Sequence, residues 1–215
     1  AGTTGFPKGV AGNHATLTAA INDILSVVEG HIEPGKEVFL LTVPLCDILG
    51  QITLLSNLYQ GNTVVLIPVP QVDAILETIQ RCRVSMLTGL PALYRMILVN
   101  ERLEQYDLSS LKYCWSSGEI LPPQVYRLWK EMFNIPIYQI FLCAEVGSVA
   151  LSFLDVEPTP KSVGSLVRSK EFDIVDPDTL EPVQPGTEGE LLVWADYLIK
   201  TYWNKPEETA KLYVE

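Results

Sequence analysis

The sequence predicts an α/β protein: mostly parallel sheet layers built from βα units, followed by a small antiparallel β subdomain. Three observations carry this expectation. Short continuous apolar runs alternate with stretches of helical period over residues 1–155. Two of the helical stretches open on proline, where a missing N–H costs least. From residue 156 to 215 prolines and glycines come often, and the remaining apolar runs are short and separated by turns.

The elements follow in order. Leu17, Ile21, Ile24, Leu25 and Val28 recur at helical spacing, with Asn13 or Thr16 placed to cap the helix. Val38 to Val43 is a continuous apolar run suited to a strand buried on both faces, and Pro44 ends it. Gly50 to Leu58 reads as a buried helix, Thr63 to Ile67 as the next strand and Val72 to Cys82 as an amphipathic helix. Val84 to Thr88 is a strand and Pro91 to Val99 a helix. Leu111 to Ser116, Pro122 to Phe133 and Ile135 to Phe141 continue the alternation as strand, helix and strand. Two short strands, Phe172–Val175 and Gly189–Val193, flank the turn Asp176 to Leu180, and a last helix begins near Thr209. Repeated βα units place ligands at the carboxyl ends of the strands. The loops at Pro44–Asp47, Ser116–Glu119 and Phe141–Glu145 stand there.

Composition narrows the function. Of 215 residues, 47% are hydrophobic and 19% charged, enough for a packed core and unlike a disordered chain. A net charge of −11 repels polyanions and argues against nucleic acid or an anionic membrane as a general partner. A small anion needs only a local nest of amides and a cation. Cys46, Cys82, Cys114 and Cys143 form no CxxC pair and read as buried free thiols in a reducing, cytoplasmic compartment. His14 and His31 are too few for a histidine metal cluster and read as partly exposed residues. No apolar run reaches the length of an integral membrane segment. The tryptophans at 115, 129, 194 and 203 and the pair Tyr94 and Met96 read as packing residues, and Glu207-Glu208 as a solvated helix start.

The opening stretch, Ala1-Gly2-Thr3-Thr4-Gly5-Phe6-Pro7-Lys8-Gly9, is built to hold phosphates. Glycines let the backbone turn tightly and aim its amides into one concavity. Thr3 and Thr4 add hydroxyls and Lys8 adds a full positive charge. It is not a Walker loop, because Gly9 follows Lys8 where that motif has Ser or Thr.

Residues 2–10, GTTGFPKGV, resemble the signature loop of the adenylate-forming superfamily of acyl-CoA synthetases, 4-coumarate–CoA ligases, luciferases and adenylation domains. Further segments resemble that family in order and spacing. They are residues 43–50, 108–112 with 116–122, 139–145, 164–166, 185–191 and 202–209. The resemblance implies the central part of a large N-terminal domain: residues 1–155 as its α/β nucleotide-binding part and 156–215 as a truncated β-rich subdomain. It implies ATP-dependent activation of a carboxylic acid to an acyl adenylate, with ATP and Mg²⁺ and then a thiol, that of CoA or of a carrier protein. By position, Thr3, Thr4, Gly5 and Lys8 would cradle the outer phosphates. Gly118 and Glu119 would line the adenine pocket, Gln139 and Ala144 would lie beside the nucleotide, and Phe141 would stack on adenine. Glu145 would hold Mg²⁺, with Lys8 and Glu145 as the catalytic pair.

Departures from the family pattern are equally legible. Leu142 stands for a glycine, Ala144 for a threonine, and Cys46-Asp47 for an aromatic–histidine pair. Asp47 reads as a substrate-side residue or as the cap of the next helix. Trp194-Ala195 replaces a common Arg-Gly. These changes keep a non-catalytic relative in view as an alternative. The chain begins inside a motif and ends before the family's ribose-binding segment and mobile C-terminal domain, so the piece alone is expected not to turn over.

Overall fold

The structure, a computed structural model, describes residues 6–159 and 161–213. Helix α1 (His14–Val28) is followed by alternating strands and helices: β1 (Val38–Leu41), α2 (Ile48–Tyr59), β2 (Thr63–Leu66), α3 (Val72–Cys82), β3 (Met86–Gly89), α4 (Pro91–Leu98), β4 (Tyr113–Ser117), α5 (Pro123–Phe133) and β5 (Ile137–Cys143). Then come β6 (Gly147–Leu151), β7 (Ser165–Leu166), β8 (Glu171–Val175), β9 (Glu190–Trp194) and the short α6 (Pro206–Ala210).

Seven strands form one sheet in the order β2-β1-β3-β4-β5-β6-β7. The five on the β2 side are parallel, β6 and β7 are antiparallel additions, and β8 with β9 makes a separate antiparallel pair. Side chains alternate across each strand, so the sheet feeds two cores. Phe39, Met86, Trp115 and Ile140 pack beneath α1 and α2. Leu40, Leu87, Cys114 and Ile137 pack beneath α3, α4 and α5. Helices α1 and α2 thus cover one face and α3, α4 and α5 the other, and sheets of this kind usually bind ligands at the carboxyl ends of their strands.

Local chemistry explains the boundaries. Asn13 caps α1 through Oδ1, which accepts from Thr16 N at 3.0 Å. Asp47 caps α2 in the same way, accepting from Leu49 N at 2.9 Å. Helices α3 and α5 each stop on a left-handed residue, Arg83 at φ 51° and Asn134 at φ 55°. Gly50 has no room for a side chain, because a Cβ there would sit 2.2 Å from the Pro44 carbonyl oxygen.

The second core is centred on aromatics. Tyr94 and Trp129 meet edge to face at 4.9 Å, and the Tyr94 hydroxyl donates to the Trp115 carbonyl at 2.6 Å. A buried ion pair, Lys170 Nζ to Asp23 Oδ2 at 2.9 Å, ties the start of β8 to α1.

Several sequence expectations are corrected. Cys46 is exposed, because it rides the outside of the tight turn closed by Asp47 N donating to Pro44 O. Met96 is half exposed, lying off the Pro91, Tyr94 and Ile97 stripe that α4 buries. Trp194 ends β9 and is 49% exposed; Trp203, beside Gly9, is 72% exposed. Strand β6 was not expected at all. Its Gly-Ser-Val-Ala-Leu sequence carries no alternation, yet all five residues are buried between β5 and β7.

Candidate nucleotide and metal site

Apart from Asp47, the described predicted residues fall on β5, at the carboxyl ends of β4 and β5, and on the loop that precedes α1. Thr3, Thr4 and Gly5 lie outside the described residues. Lys8 is described and half-buried. Its loop is held by a backbone strip from the far end of the chain: Trp203 N donates to Gly9 O at 2.7 Å, and Ala11 N donates to Thr201 O at 3.1 Å. Sequence distance is thereby cancelled, and Tyr202 is carried beneath Lys8.

Tyr202 joins the two residues expected to be catalytic. The Lys8 ammonium sits 4.7 Å from the centre of the Tyr202 ring. The Tyr202 hydroxyl donates to Glu145 Oε1 at 2.6 Å. Lys8 also faces Glu208 Oε2 at 3.7 Å, and the other oxygen of that carboxylate, Oε1, faces Lys211 Nζ at 3.6 Å. Burial pushes the Tyr202 phenol well up, and the Glu145 carboxylate adds to the shift, so the phenol stays a donor at neutral pH. Burial likewise raises the Cys143 thiol, with Glu145 adding to it. Glu145 itself stands in the tight turn between β5 and β6, and its carbonyl accepts from Ile199 N at 3.3 Å.

The other expected residues take distinct positions. Gly118 follows β4 at φ 83°, a conformation that disfavours side chains, and a Cβ there would meet Leu90 Cδ2 at 2.7 Å. Glu119 beside it is exposed. Ser117 pairs in register with Ile140, so Gly118 and Phe141 follow at neighbouring strand ends. Phe141 and Ala144 are half-buried. Gln139 is buried and its amide is engaged within the chain. Oε1 accepts from Leu121 N at 3.1 Å, Nε2 donates to the Ser162 carbonyl, and its own N–H donates to Ser152 Oγ at 3.0 Å. It braces the segment after Gly118. Asp47 is exposed at the carboxyl end of β1, with β3 and β4 between it and β5, and its carboxylate caps α2.

Three features escaped the sequence reading. Tyr202 lay in a segment noted only for its likeness to relatives, and Glu208 was read as a solvated helix start; a hydrogen-bonding phenol carries no local signal. Ser116 and Ser117 are buried with hydroxyls that have no partner among the described residues. A cavity of about 30 Å³ between α1, α2 and the sheet is lined by Val27, Phe39, Met86, Trp115, Ile140 and Leu151 among others. It has room for about two waters.

The site therefore sets Lys8 and Glu145 on either side of a phenol, with Glu208 and Lys211 at the Lys8 side, beside an exposed glycine turn and an aromatic ring. Among the described residues no group of three or more His, Cys, Asp or Glu forms a metal cage. A hard divalent cation would depend on Glu145 and on phosphate oxygens, the habit of Mg²⁺ with nucleotides. The donor set fits that ion.

This geometry has relatives. The model of the AMP-binding enzyme family matches residues 1–203. The chain belongs to the AMP-binding enzyme family.

Among curated relatives, a long-chain-fatty-acid–CoA ligase of Bacillus subtilis (strain 168) is 29% identical over 211 residues, covering 97% of this chain and 38% of its own length. A 4-coumarate-CoA ligase of Narcissus pseudonarcissus is 30% identical over 222 residues, with the same coverage of each. The chain thus spans about two fifths of the length of the curated relatives it matches. The solved anthranilate CoA ligase AuaEII in complex with anthranoyl-AMP superposes with a TM-score of 0.88 at 26% identity, covering 98% of this chain and 41% of that one. The ATP-bound MatB of Rhodopseudomonas palustris reaches the same TM-score at 21% identity, covering 100% and 42%, which shows the fold. Among the described residues, no helix of this family member is long and apolar enough to cross a membrane.

Proposed function

We propose that the protein containing this chain activates a carboxylic acid with ATP and passes the acyl group to a thiol, that of CoA. In the first step a carboxylate oxygen attacks the α-phosphorus and pyrophosphate leaves. In the second a thiolate attacks the acyl carbon and AMP leaves. The observation that carries this reading is the convergence of Lys8 and Glu145 on Tyr202. It supports a pair of opposite charges set for a metal-bound triphosphate.

Each residue has a task under this reading. Lys8, with Thr3, Thr4 and Gly5 of the same loop, offsets phosphate charge. Glu145 holds Mg²⁺, which when bound neutralises phosphate charge and orients it. The Gly118 turn admits adenine against the backbone, Glu119 rims the pocket and Phe141 stacks. Ala144 offers the α-phosphate no hydroxyl. Gln139 keeps the Gly118–Leu121 segment in place from beneath. Asp47 is a structural cap before it is a substrate residue. We take residues 1–155 as the nucleotide-binding part, with 156–215 supplying Tyr202, and place the protein in the cytoplasm.

ATP–pyrophosphate exchange by the full-length protein with a panel of carboxylic acids tests this, alongside calorimetry with Mg-ATP. Lys8→Ala is expected to weaken ATP binding at least tenfold; unchanged affinity would overturn the phosphate assignment. Mass analysis of the product separates CoA from a carrier-protein thiol. The 215-residue stretch alone is expected to show no exchange. Ala144 and Leu142 favour a second reading, a non-catalytic nucleotide-binding relative. ATP binding without exchange by the full-length protein, whatever acid is supplied, selects it.

A further inference from the structure

The contacts around Tyr202 carry more than its position. It is 6% exposed, although it lies in a loop segment that is otherwise largely exposed. Its backbone is fixed from two sides. Val10 bridges it in antiparallel fashion, and its N–H donates to Thr209 Oγ1 at 3.0 Å. Thr209 in turn is held by its own α6 turn, donating to Lys205 O at 2.8 Å. The phenol therefore has little freedom, and its two functional faces are set by the fold. The ring face meets Lys8 at 4.7 Å, and the hydroxyl meets Glu145 Oε1 at 2.6 Å.

We propose that Tyr202 is a positioning residue for the divalent cation: its hydroxyl pins one oxygen of Glu145 so that the other is presented to the metal, while its ring spaces Lys8 from that carboxylate. The proposal rests on the assignment of nucleotide and metal to Lys8 and Glu145. Its physical basis is direct. Lys8 and Glu145 carry opposite charges, and without a spacer they could collapse into an ion pair that neither the phosphates nor the metal could enter. A cation over an aromatic face keeps most of its charge for another partner, because the ring contributes a weak, non-ionic attraction. A carboxylate that accepts from a phenol keeps its charge and loses only rotational freedom. A rigid single carboxylate suits a cation that takes one or two protein oxygens and the rest from phosphate.

The test separates the hydroxyl from the ring. In the full-length protein, without acid substrate, the affinity for ATP is measured by calorimetry in EDTA and again with saturating Mn²⁺. The ratio of the two dissociation constants reports what the metal adds. Glu145→Gln is expected to remove most of that ratio. Tyr202→Phe, which keeps the ring under Lys8, is expected to cut the ratio about tenfold, the low end for a lost hydrogen bond to a charged group. It should leave the EDTA value within twofold. Tyr202→Leu should also weaken binding in EDTA, because Lys8 then loses its support.

Two results would overturn the proposal: an unchanged ratio in Tyr202→Phe, which equal weakening with and without metal would give, or a Tyr202→Phe protein that fails to fold. The last would assign the hydroxyl to fold stability instead. If Glu145→Gln leaves the ratio intact, the metal assignment beneath it fails as well, and the two failures are told apart.

Discussion

The buried ion pair between Asp23 and Lys170 should cost more to break than to replace. The two side chains are 6% and 0% exposed and meet at 2.9 Å. Lys170 has two further supports, Ser169 Oγ at 3.2 Å and the Tyr197 ring at 5.4 Å. Attraction between unit charges at such a distance is roughly 5 kcal/mol in an interior of intermediate polarity. Desolvating each ion costs several kcal/mol, so the intact pair nets close to zero. Removing one partner leaves that desolvation unopposed. Asp23→Ala is therefore expected to destabilise the protein by about 3–5 kcal/mol. Asp23→Leu combined with Lys170→Met should recover to within about 1 kcal/mol of wild type.

Urea unfolding followed by tryptophan fluorescence, with a double-mutant cycle, reads the coupling directly. A single variant within about 1 kcal/mol of wild type would refute the reasoning, as would a double variant no better than the sum of its singles. The pair matters for the site, because α1 follows the Lys8 loop directly and the β8 side of the pair leads to Tyr202. Thr16 on the same helix donates its hydroxyl to the Tyr197 carbonyl, a second tie between these parts.

Three further outcomes are expected. Gln139→Leu should strand the buried Leu121 N–H and the Ser162 carbonyl, cost roughly 2–4 kcal/mol and raise the KM for ATP through the loosened Gly118–Leu121 segment; Gln139→Glu, which keeps the acceptor, should retain part of the loss, and equal KM values in both would count against the brace. Glu208→Gln should free Lys8 from a half-exposed ion pair worth at most about 1 kcal/mol, tightening ATP binding by up to about fivefold at low salt with the gain lost at high salt; weaker binding at low salt would contradict the competition. Tyr94, Tyr126, Tyr138 and Tyr202 all have phenols raised chiefly by burial, with Glu157 adding to Tyr126 and Tyr138 and Glu145 to Tyr202. For a raised folded-state value the stability is complete below the unfolded phenol value near pH ~10 and falls as pH climbs through the folded ones. Phenolate absorbance should thus show these four ionising only as the fold is lost, and ionisation of all nine tyrosines together in a folded chain would exclude it.

What could be read without coordinates was whatever is written locally. Helical spacing at Leu17 to Val28, apolar runs such as Val38 to Leu41 and proline-led helices place the βα units, because burial on a sheet or helix repeats with the element's own period. The resemblance of the Gly-Thr-rich opening and of the strand-end segments to the family was legible because their residues are contiguous. Asp47 shows the limit of that reading: its two possible roles are identical in sequence, and only the 2.9 Å bond to Leu49 N reveals the cap.

Other features depend on pairing between distant segments, which no local period encodes. Strand β6 exists because β5 and β7 bury it, and its glycine, serine and alanine give no strand signal by themselves. Gln139 becomes a brace only when Leu121 and Ser162 arrive on either side of it. The meeting of Lys8, Tyr202 and Glu145 depends most on tertiary structure. Residues 8, 145 and 202 come together through the strip that pairs Gly9 and Ala11 with Thr201 and Trp203. The amino-acid sequence determined that a Gly-Thr-rich segment with Lys8 and a strand-end carboxylate were present. The tertiary structure decided that one phenol lies between them, because side-chain spacing across a fold is set by backbone register and not by distance along the chain.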